Sequence, residues 1–585
     1  MSFQLISTPD EIRAAVAELA QQPAIGFDTE TTHLDPLRGR LRLVQLATAD
    51  KVWLLDIYQF AAPATNEALA PVRELLAAPR PVKIAHNAKF DAKWIWRHLG
   101  VELGGVFDTY LASLLLGAGD QDERHGLAPV VERFLRQPLD KTEQRSNWDG
   151  ALSDSQLRYA AADAAVLPAL RLAQIERLKA EGLIKVAQLE FECVIPLAAL
   201  ELAGFYLDTE RWREQLKKVE AERLRLGDEL QEMLADGALQ GSLFGRAEIN
   251  LESQQQVTDA LKGLGVPVPA STRSWKLQPL AAEYPAVAKL LEYRAVHKAA
   301  TSFGETILSD VHPVTGRLHA DFRQIGAPSG RMACSNPNIQ QIPHDLAYRR
   351  CFRAPPGRKL IVADYSQVEL RILGEVSGDE GFLAAFRAGA DLHRATAAQV
   401  FGIAEDAVTP QQRGFAKTLN FGIVYGVGAP RFAQSTGMSE TDAENMMRRY
   451  FATYRGLAQW LERAAARAVR ERQARTIAGR LVRFRFDPAD RQAVSGIQRM
   501  GKNIPIQGAA SDIFKHALRL VYEALRGTSA QMVNVVHDEI VVECDTGEAA
   551  EVALRLERAM CAAGAEFLNQ VPVKVEAEIA DEWTK

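Results

Sequence analysis

The chain has 585 residues, 47% of them hydrophobic, and a formal net charge of −5 at pH 7. This length exceeds the ~250–300 residues at which a single core usually divides, and the apolar content excludes a disordered chain, so we expect several globular domains. The acidic balance excludes a protein coated uniformly with positive charge, but it leaves room for a local basic groove that binds nucleic acid.

The cysteines and the hydropathy indicate the compartment. The 5 cysteines are scattered and form no Cys-x-x-Cys pair, which is typical of a reducing compartment. The sequence has no apolar run of about 18 residues and no signal-type N-terminus. We therefore expect no membrane partner and a location in the cytoplasm of a bacterial or phage-infected cell, with an organelle left open.

The first third of the chain places carboxylates directly after short predicted strands. Asp28 and Glu30 follow the apolar run at 24–27, and Asp91 lies shortly after another run at 82–85. A helix predicted to start at a capping box near Ser153 and to continue to about residue 181 carries two more polar side chains, those of Tyr159 and Asp163. Their spacing of four residues puts both on one face of that helix.

Four carboxylates and a tyrosine suit a hydrolytic site with two metal ions. Such ions lower the pKa of the attacking water and stabilise the leaving oxygen. Tyr159 would orient that water through a hydrogen bond, because its ordinary pKa of about 10 is too high for an efficient base.

The motifs FDTET, HNAKFD and YAAAD resemble those of 3′–5′ proofreading exonucleases with a tyrosine in the third motif. The passage LDKTEQRSNWDGALSDSQLRYAAAD is similar to ribonuclease D-type exonucleases. The resemblance implies that Asp28, Glu30 and Asp163 bind one metal ion, that Asp28 and Asp91 reach the other, and that Leu34 wedges against the terminal base. No acidic position is replaced, so we expect active proofreading.

The middle of the chain is predicted to be helical, with no flexible linker at its start. The helical pattern resumes at Leu183, so we expect rigidly joined domains. Four basic residues of the charged helical pattern at 210–234 are equally candidates for phosphate contacts and for ordinary surface charge: Lys217, Lys218, Arg223 and Arg225.

Two later segments carry a second set of carboxylates. The apolar run at 360–363 predicts a buried strand that ends at Asp364, and β-branched runs around His537, Asp538 and Glu539 predict a hairpin with carboxylates at its tip. If Asp364 and Asp538 meet, they can bind two cations about 3.5–4 Å apart, as in phosphoryl transfer. Mg²⁺ suits such a site, because it prefers one or two carboxylates together with substrate phosphates.

Between these segments, Arg413, Lys417, Phe421 and Tyr425 fall four residues apart and form one slowly winding helical stripe. Cations followed by aromatic rings suit a nucleotide, whose phosphates would meet the cations. The basic run at 461–485, with eight arginines against two glutamates, is either a solvated helix face or a DNA-facing stripe.

The motifs DYSQVELR, RGFAKTLNFGIVYG and VHDE resemble, in order, the three polymerase motifs of the bacterial DNA polymerase I family, family A. The resemblance covers nearly the whole chain and is to the large, Klenow-type fragment. It implies an α/β multidomain protein in which an RNase H-like exonuclease domain precedes a right-hand polymerase with an antiparallel palm sheet. The implied bounds are 1–187 for the exonuclease, 188–310 for the thumb, 311–375 and 490–585 for the palm, and 376–489 for the helical fingers.

The same resemblance implies roles for individual side chains. Those implied to contact the nucleotide are Gln367, Glu369, His393, Arg413, Lys417, Phe421 and Tyr425. Those implied to contact DNA are Arg331, Arg499, Asn503, Gln507, His537 and Leu34. Glu369 would exclude a ribose 2′-hydroxyl, and Arg331 and Gln507 would donate to minor-groove acceptors that are similar in every base pair. Gln341 stands where many relatives have Asn, which weakens any role for it.

The sequence therefore predicts a template-directed DNA polymerase with 3′–5′ proofreading. Asp364, Asp538 and Glu539 would be its catalytic carboxylates. Its expected partners are primer–template DNA and dNTPs, its cofactors two Mg²⁺ per active site with Mn²⁺ as a substitute, and its state a monomer without a 5′-nuclease domain. The alternative is a ribonuclease D-like exonuclease whose C-terminal half is only a polymerase-like DNA-binding module. The intact polymerase carboxylates favour the first hypothesis.

Overall fold

The computed structural model describes residues 3–120, 122–235, 249–269, 271–343 and 346–584. The chain forms two compact units. The first comprises Met1–Gly204, Ala320–Ser335 and Ile361–Ile579, and the second comprises Phe205–His319, Asn336–Leu360 and Ala580–Lys585. In the described part of the chain, no helix is both long and apolar enough to span a bilayer.

The first unit begins with a six-stranded sheet in the order β1-β4-β3-β2-β5-β6. Its strands are β1 (Phe3–Ile6), β2 (Ala24–Thr31), β3 (Leu41–Ala47), β4 (Val52–Asp56), β5 (Val82–Ala85) and β6 (Val106–Asp108). Strand β2 pairs antiparallel with β3 and parallel with β5. Every residue of β3 and β4 is buried, as expected for strands covered on both faces.

Nine helices described in this segment accompany the sheet. They are α1 (Pro9–Leu19), α2 (Ala70–Ala77), α3 (Ala88–Leu99), α4 (Thr109–Gly117), α5 (Leu127–Leu135), α6 (Asp154–Ala165), α7 (Leu167–Ala180), α8 (Ile184–Glu192) and α9 (Val194–Ala203). The capping box predicted at Ser153 is present. The single helix predicted from there is wrong, because it divides into α6 and α7 where Pro168 occupies the first turn of the second helix.

The second unit is mainly helical. Its elements are β7 (Phe205–Tyr206), α10 (Thr209–Ala235), α11 (Gln254–Gly263), α12 (Ser274–Leu277), α13 (Pro285–Ser302), α14 (Thr306–Ser309), β8 (Arg317–Leu318) and α15 (Leu346–Arg349). Leu226, Leu230 and Leu234 of α10 recur at helical spacing and pack in one core cluster with Leu290 of α13.

The rest of the first unit contains a four-stranded sheet in the order β14-β15-β11-β16. The strands of this segment are β9 (Asp321–Arg323), β10 (Ala333–Ser335), β11 (Arg358–Tyr365), β12 (Gln473–Arg475), β13 (Leu481–Arg483), β14 (Gln531–Val536), β15 (Glu539–Asp545) and β16 (Val575–Ala580). Strands β14 and β15 form the predicted antiparallel hairpin, in which Val536 pairs with Glu539. His537 and Asp538 therefore form its tip.

Helices fill the remainder of this segment. They are α16 (Val368–Ser377), α17 (Glu380–Arg387), α18 (Leu392–Phe401), α19 (Pro410–Val424), α20 (Ala429–Thr436), α21 (Glu440–Thr453), α22 (Arg455–Glu471), α23 (Arg491–Ala524) and α24 (Ala549–Ala565). The stretch from α17 to α22 is almost wholly helical.

A buried ionic cluster joins α8 to the later helices of the first unit. Lys515 of α23 donates to Glu190 of α8 at 2.6 Å, and Arg480 pairs with Glu190 and, at 2.7 Å, with Asp512. All four side chains are at most 2% exposed. Since an unpaired charge here would be very costly, the cluster fixes α8 against α23.

Candidate active sites

Three of the four predicted exonuclease carboxylates form a compact acidic group. Asp28 and Glu30 are two residues apart on β2, so both side chains project from the same face of the sheet. Asp163 of α6 completes the group, and one carboxylate oxygen from each residue lies within 4.8 Å of the others. Oδ1 of Asp163 is buried and has no hydrogen-bond partner among the residues that the structure describes. Such a set of oxygens fits a hard divalent cation.

Asp91 lies beside this group in the first turn of α3 and is 2% exposed. The hydroxyl of Thr29 on β2 donates to Asp91 Oδ1 at 2.6 Å. Burial, followed by the charge of Asp28, raises the pKa of Asp91 well above its usual range. The structure therefore brings all four predicted carboxylates together.

The carboxylates of the group repel one another. Burial raises the pKa of Asp28 to about 7, and the charge of Asp163 adds to the rise. Burial also raises the pKa of Glu30 well above its ordinary value, with further contributions from Asp28 and Asp163. Like charges held this closely out of water are relieved by a bound cation, so the electrostatics agree with a metal site.

Sequence reasoning missed Lys141, which links the two polar residues of α6. Its Nζ donates to Asp163 Oδ2 at 2.5 Å and to the Tyr159 hydroxyl oxygen at 3.3 Å. Burial, followed by the charge of Asp163, raises the pKa of Tyr159, so the phenol stays protonated and can donate a hydrogen bond. Lys141 lies in an irregular loop without periodicity, and its one signal was its position inside the passage that resembles ribonuclease D.

The predicted wedge, Leu34, follows β2 and is 82% exposed. A single exposed leucine is common on protein surfaces. Its exposure leaves it accessible to a DNA end but assigns it no role, and the wedge stays a prediction.

The second predicted acidic site lies at one end of the four-stranded sheet. Asp364 is the penultimate residue of β11, and Asp538 is at the tip of the β14–β15 hairpin. The backbone N–H of Tyr365 donates to the carbonyl oxygen of Asp538 at 3.4 Å. This bond puts the end of β11 against the hairpin tip, where His537 adopts a left-handed φ of 56°.

Asp538 lies among other charged side chains. Burial raises its pKa to about 6, the charges of Glu369 and Glu539 add to the rise, and the charge of Arg331 opposes it. Two carboxylates at a strand end and a hairpin tip suit Mg²⁺, which completes its shell with water and substrate phosphates. The structure thus brings Arg331 and Glu369 to the predicted polymerase carboxylates.

Glu369 is held by two partners that are distant in sequence. It is 8% exposed in the first turn of α16. The Arg331 guanidinium forms an ion pair with its Oε1, and the Tyr425 hydroxyl donates to its Oε2 at 3.0 Å. Gln367 precedes α16 with a left-handed φ of 57°, and its buried Oε1 has no hydrogen-bond partner in the described part of the chain. The carboxylate predicted to test the sugar is therefore fixed in position.

The predicted nucleotide stripe is carried by α19, except for its last residue. Arg413, Lys417 and Phe421 lie on the helix, whereas Tyr425 lies just beyond Val424. Tyr425 is the C-cap of α19, and its backbone N–H still donates to the Phe421 carbonyl oxygen at 3.3 Å, so the stripe runs to the end of the helix. Gly426, the next residue, adopts a left-handed φ of 67°, as glycines commonly do directly after a helix C-terminus.

Two side chains that the sequence analysis did not assign support this stripe. Asp391, at the N-cap of α18, accepts a hydrogen bond from Arg413 Nε at 2.6 Å. Asn420 Nδ2 lies 3.0 Å from His393 Nδ1, and the ring of His393 lies 5.6 Å from that of Phe421. Burial lowers the pKa of His393 to about 4. His393 is therefore a neutral neighbour of the stripe at pH 7.

The other predicted DNA contacts lie on α23. Arg499, Asn503 and Gln507 are spaced by four residues along this helix and share one side of it. Arg499 packs on the turn at Gly426, where an added Cβ would lie 3.3 Å from its Cγ. These three side chains thus lie on a helix that approaches the end of α19, and their DNA contacts stay predictions.

Several arginines of the two basic segments form ion pairs within the protein. Within the run at 461–485, Arg480 is buried in the ionic cluster, and Arg483 pairs with Glu181 at 2.5 Å. On α10, Arg223 and Arg225 form ion pairs with glutamates of the same helix. The structure therefore favours surface charge over DNA contacts for these two α10 arginines.

Comparison with known proteins identifies the chain. Residues 216–585 match DNA polymerase family A, and residues 3–175 match a 3′–5′ exonuclease family. The chain is 33% identical to DNA polymerase I of Aquifex aeolicus (strain VF5), over the whole of both proteins. It is 32% identical to DNA polymerase I of Chloroflexus aurantiacus, over 97% of this chain and 62% of that protein.

A solved structure has the same fold. It is described as the POL domain of Pol1 from M. smegmatis in complex with DNA primer-template and dNTP, and it superposes with a TM-score of 0.86 at 25% identity. The match covers 100% of this chain and 99% of that one. These findings confirm the predicted family, the predicted fold class and the function of a DNA polymerase. They favour this function over the alternative of a chain that only degrades nucleic acid. The chain belongs to DNA polymerase family A and carries a 3′–5′ exonuclease domain.

Proposed function

We propose that Asp364 and Asp538 hold two Mg²⁺ ions, with Mn²⁺ as a substitute, and support attack of a primer 3′-hydroxyl on the α-phosphate of a dNTP, releasing pyrophosphate. The bond between Tyr365 and Asp538 carries the proposal, because it puts the end of β11 against the hairpin tip. When bound, the cations would stabilise the attacking and leaving oxygens. A DNA primer–template and a dNTP are bound by the M. smegmatis neighbour, and we propose the same partners here.

The protein's own side chains select the nucleotide in this proposal. Arg413 and Lys417 would bind the phosphates, and Phe421 would pack on the sugar. Glu369, fixed by Arg331 and Tyr425, would exclude a 2′-hydroxyl. Its rigid placement matters, because a mobile carboxylate could yield to the extra oxygen.

The second site would remove mispaired 3′ ends. Asp28, Glu30, Asp91 and Asp163 would hold the cations, and the protonated Tyr159 would orient the attacking water. We also propose the predicted domain bounds of 1–187, 188–310, 311–375 with 490–585, and 376–489, a monomer, and a cytoplasmic location.

Primer extension with and without dNTPs tests both sites in one assay. Losing a metal-binding carboxylate removes several kcal/mol of transition-state stabilisation, on the order of 10³-fold in rate. We expect Asp364→Asn to lose synthesis and keep degradation of the primer, and Asp28→Ala to do the reverse. Synthesis by Asp364→Asn at the parent rate would contradict the polymerase site, and degradation by Asp28→Ala would contradict the exonuclease site.

A further inference from the structure

Lys141 lies among the exonuclease carboxylates, and no motif assigns it a role. Besides its contacts with Asp163 and Tyr159, its ammonium lies 5.1 Å from the centre of the Tyr159 ring. Burial raises the pKa values of Asp28 and Glu30, and the charge of Lys141 opposes both rises. This one cation therefore acts on all three members of the acidic group.

The loop around Lys141 is held in a defined position. Gln156, in the first turn of α6, donates from Nε2 to Ser146 Oγ at 3.0 Å. Trp148 is buried against Tyr159, with ring centres 6.2 Å apart. The segment that follows Lys141 is thus bound to the same helix that carries Tyr159, which limits how far the lysine can lie from it.

Lys141 faces solvent more than its partner does. Its side chain is 24% exposed, whereas that of Asp163 is 4% exposed. A DNA end must enter from solvent, so it reaches the ammonium before it reaches the buried carboxylate. An ammonium on a flexible stem, with three rotatable donors, can turn from a carboxylate to a phosphate without a change in the backbone.

We propose that Lys141 is a phosphate-binding residue of the exonuclease site, whose ammonium leaves Asp163 and binds a non-bridging oxygen of the terminal phosphate beside the water that Tyr159 orients. This inference rests on the proposed exonuclease function. The negative charge on that phosphate grows during hydrolysis, so a cation placed there stabilises the transition state. Once the ammonium of Lys141 has moved to the phosphate, the carboxylate of Asp163 is free to act as a metal ligand.

Binding of thymidine 5′-monophosphate and of thymidine, each in Mg²⁺, tests the contact apart from turnover. By calorimetry we expect Lys141→Met to weaken binding of the monophosphate about tenfold or more, the effect of one charge-assisted hydrogen bond, and to leave thymidine binding unchanged. Degradation of a single-stranded oligonucleotide should fall on the order of 10²-fold. Lys51→Met is the matched control. Lys51 is an exposed lysine of the N-terminal part of the chain that carries the six-stranded sheet, and it pairs with Glu18 at 2.8 Å.

Lys141→Arg should restore binding of the monophosphate to within a few-fold, since it keeps the charge, and Lys141→Gln replaces the methionine variant if that one unfolds. Unchanged binding of the monophosphate, equal loss of both ligands, or failure of arginine to restore binding would each overturn the proposal. If Asp28→Ala still degrades DNA, the exonuclease site itself is misassigned. If only Asp28→Ala loses activity and Lys141→Met binds normally, the inference about Lys141 alone fails.

Discussion

The proposed exonuclease and polymerase sites hold their carboxylates in different ways. In the exonuclease site, three acidic oxygens lie within 4.8 Å of one another, and one lysine contacts the group. In the polymerase site, Glu369 is satisfied by an arginine and a tyrosine of the protein. The first arrangement stores repulsion that cations relieve, whereas the second fixes a carboxylate that has to stay in place without them.

This difference follows from what each site has to recognise. A DNA end brings one scissile phosphate, so the charge that binds it can come mostly from metal ions. A dNTP brings three phosphates and a sugar, and in the proposed polymerase site the cations of α19 would meet the phosphates while Glu369 would meet the sugar. Variants that change one of these properties should therefore affect the function of one site and spare that of the other.

Replacing Glu369 should give the largest effect on the polymerase side of this comparison. Because the role proposed for Glu369 is to exclude a 2′-hydroxyl, we expect Glu369→Ala to lower discrimination against ribonucleotides on the order of 10²-fold. Single-nucleotide incorporation of dCTP and CTP, compared as kcat/KM, measures it. Glu380→Ala is the control, because Glu380 is an 84% exposed glutamate of the next helix. Unchanged discrimination in Glu369→Ala would remove the sugar-testing role.

Removing one charge from the acidic group of the exonuclease site should raise the thermal stability of the protein when no cation is bound. In EDTA we expect Asp28→Asn to unfold at a temperature roughly 2–4 °C higher than the parent, the shift that corresponds to about 1 kcal/mol in a domain of this size. Saturating Mg²⁺ should cancel the advantage, because the parent carboxylates then bind cations.

Asp364→Asn provides the comparison, and differential scanning calorimetry measures both variants. We expect a smaller gain in EDTA from Asp364→Asn, because Asp364 is not part of the acidic triad. An Asp28→Asn protein that is less stable than the parent in EDTA would show that the triad does not store repulsion.

The sequence predicted those parts of the sites that depend on local spacing. Asp28 with Glu30 on a strand, and Tyr159 with Asp163 on a helix, follow from periods of 2 and 3.6 residues. The hydrogen bonds that Glu369 accepts from Arg331 and Tyr425 join residues 38 and 56 positions apart. They depend on tertiary packing, which no local pattern encodes. Pro168 at a helix start and Gly426 after a helix end follow local rules, whereas the helical spacing of the sequence continues across both positions.

The hydroxyl of Tyr425 offers the finest test of the fixed carboxylate. Tyr425→Phe removes one hydrogen bond to Glu369 and keeps the ion pair with Arg331. A net contribution of about 0.5–1.5 kcal/mol predicts a loss of roughly two- to tenfold in discrimination against CTP.

Tyr450→Phe is the matched control, because its buried hydroxyl has no hydrogen-bond partner among the described residues. An effect of Tyr425→Phe as large as that of Glu369→Ala would mean that the tyrosine, rather than the ion pair, fixes the carboxylate. No effect would mean that Arg331 alone is sufficient, and the contrast with the exonuclease site would then rest on one ion pair.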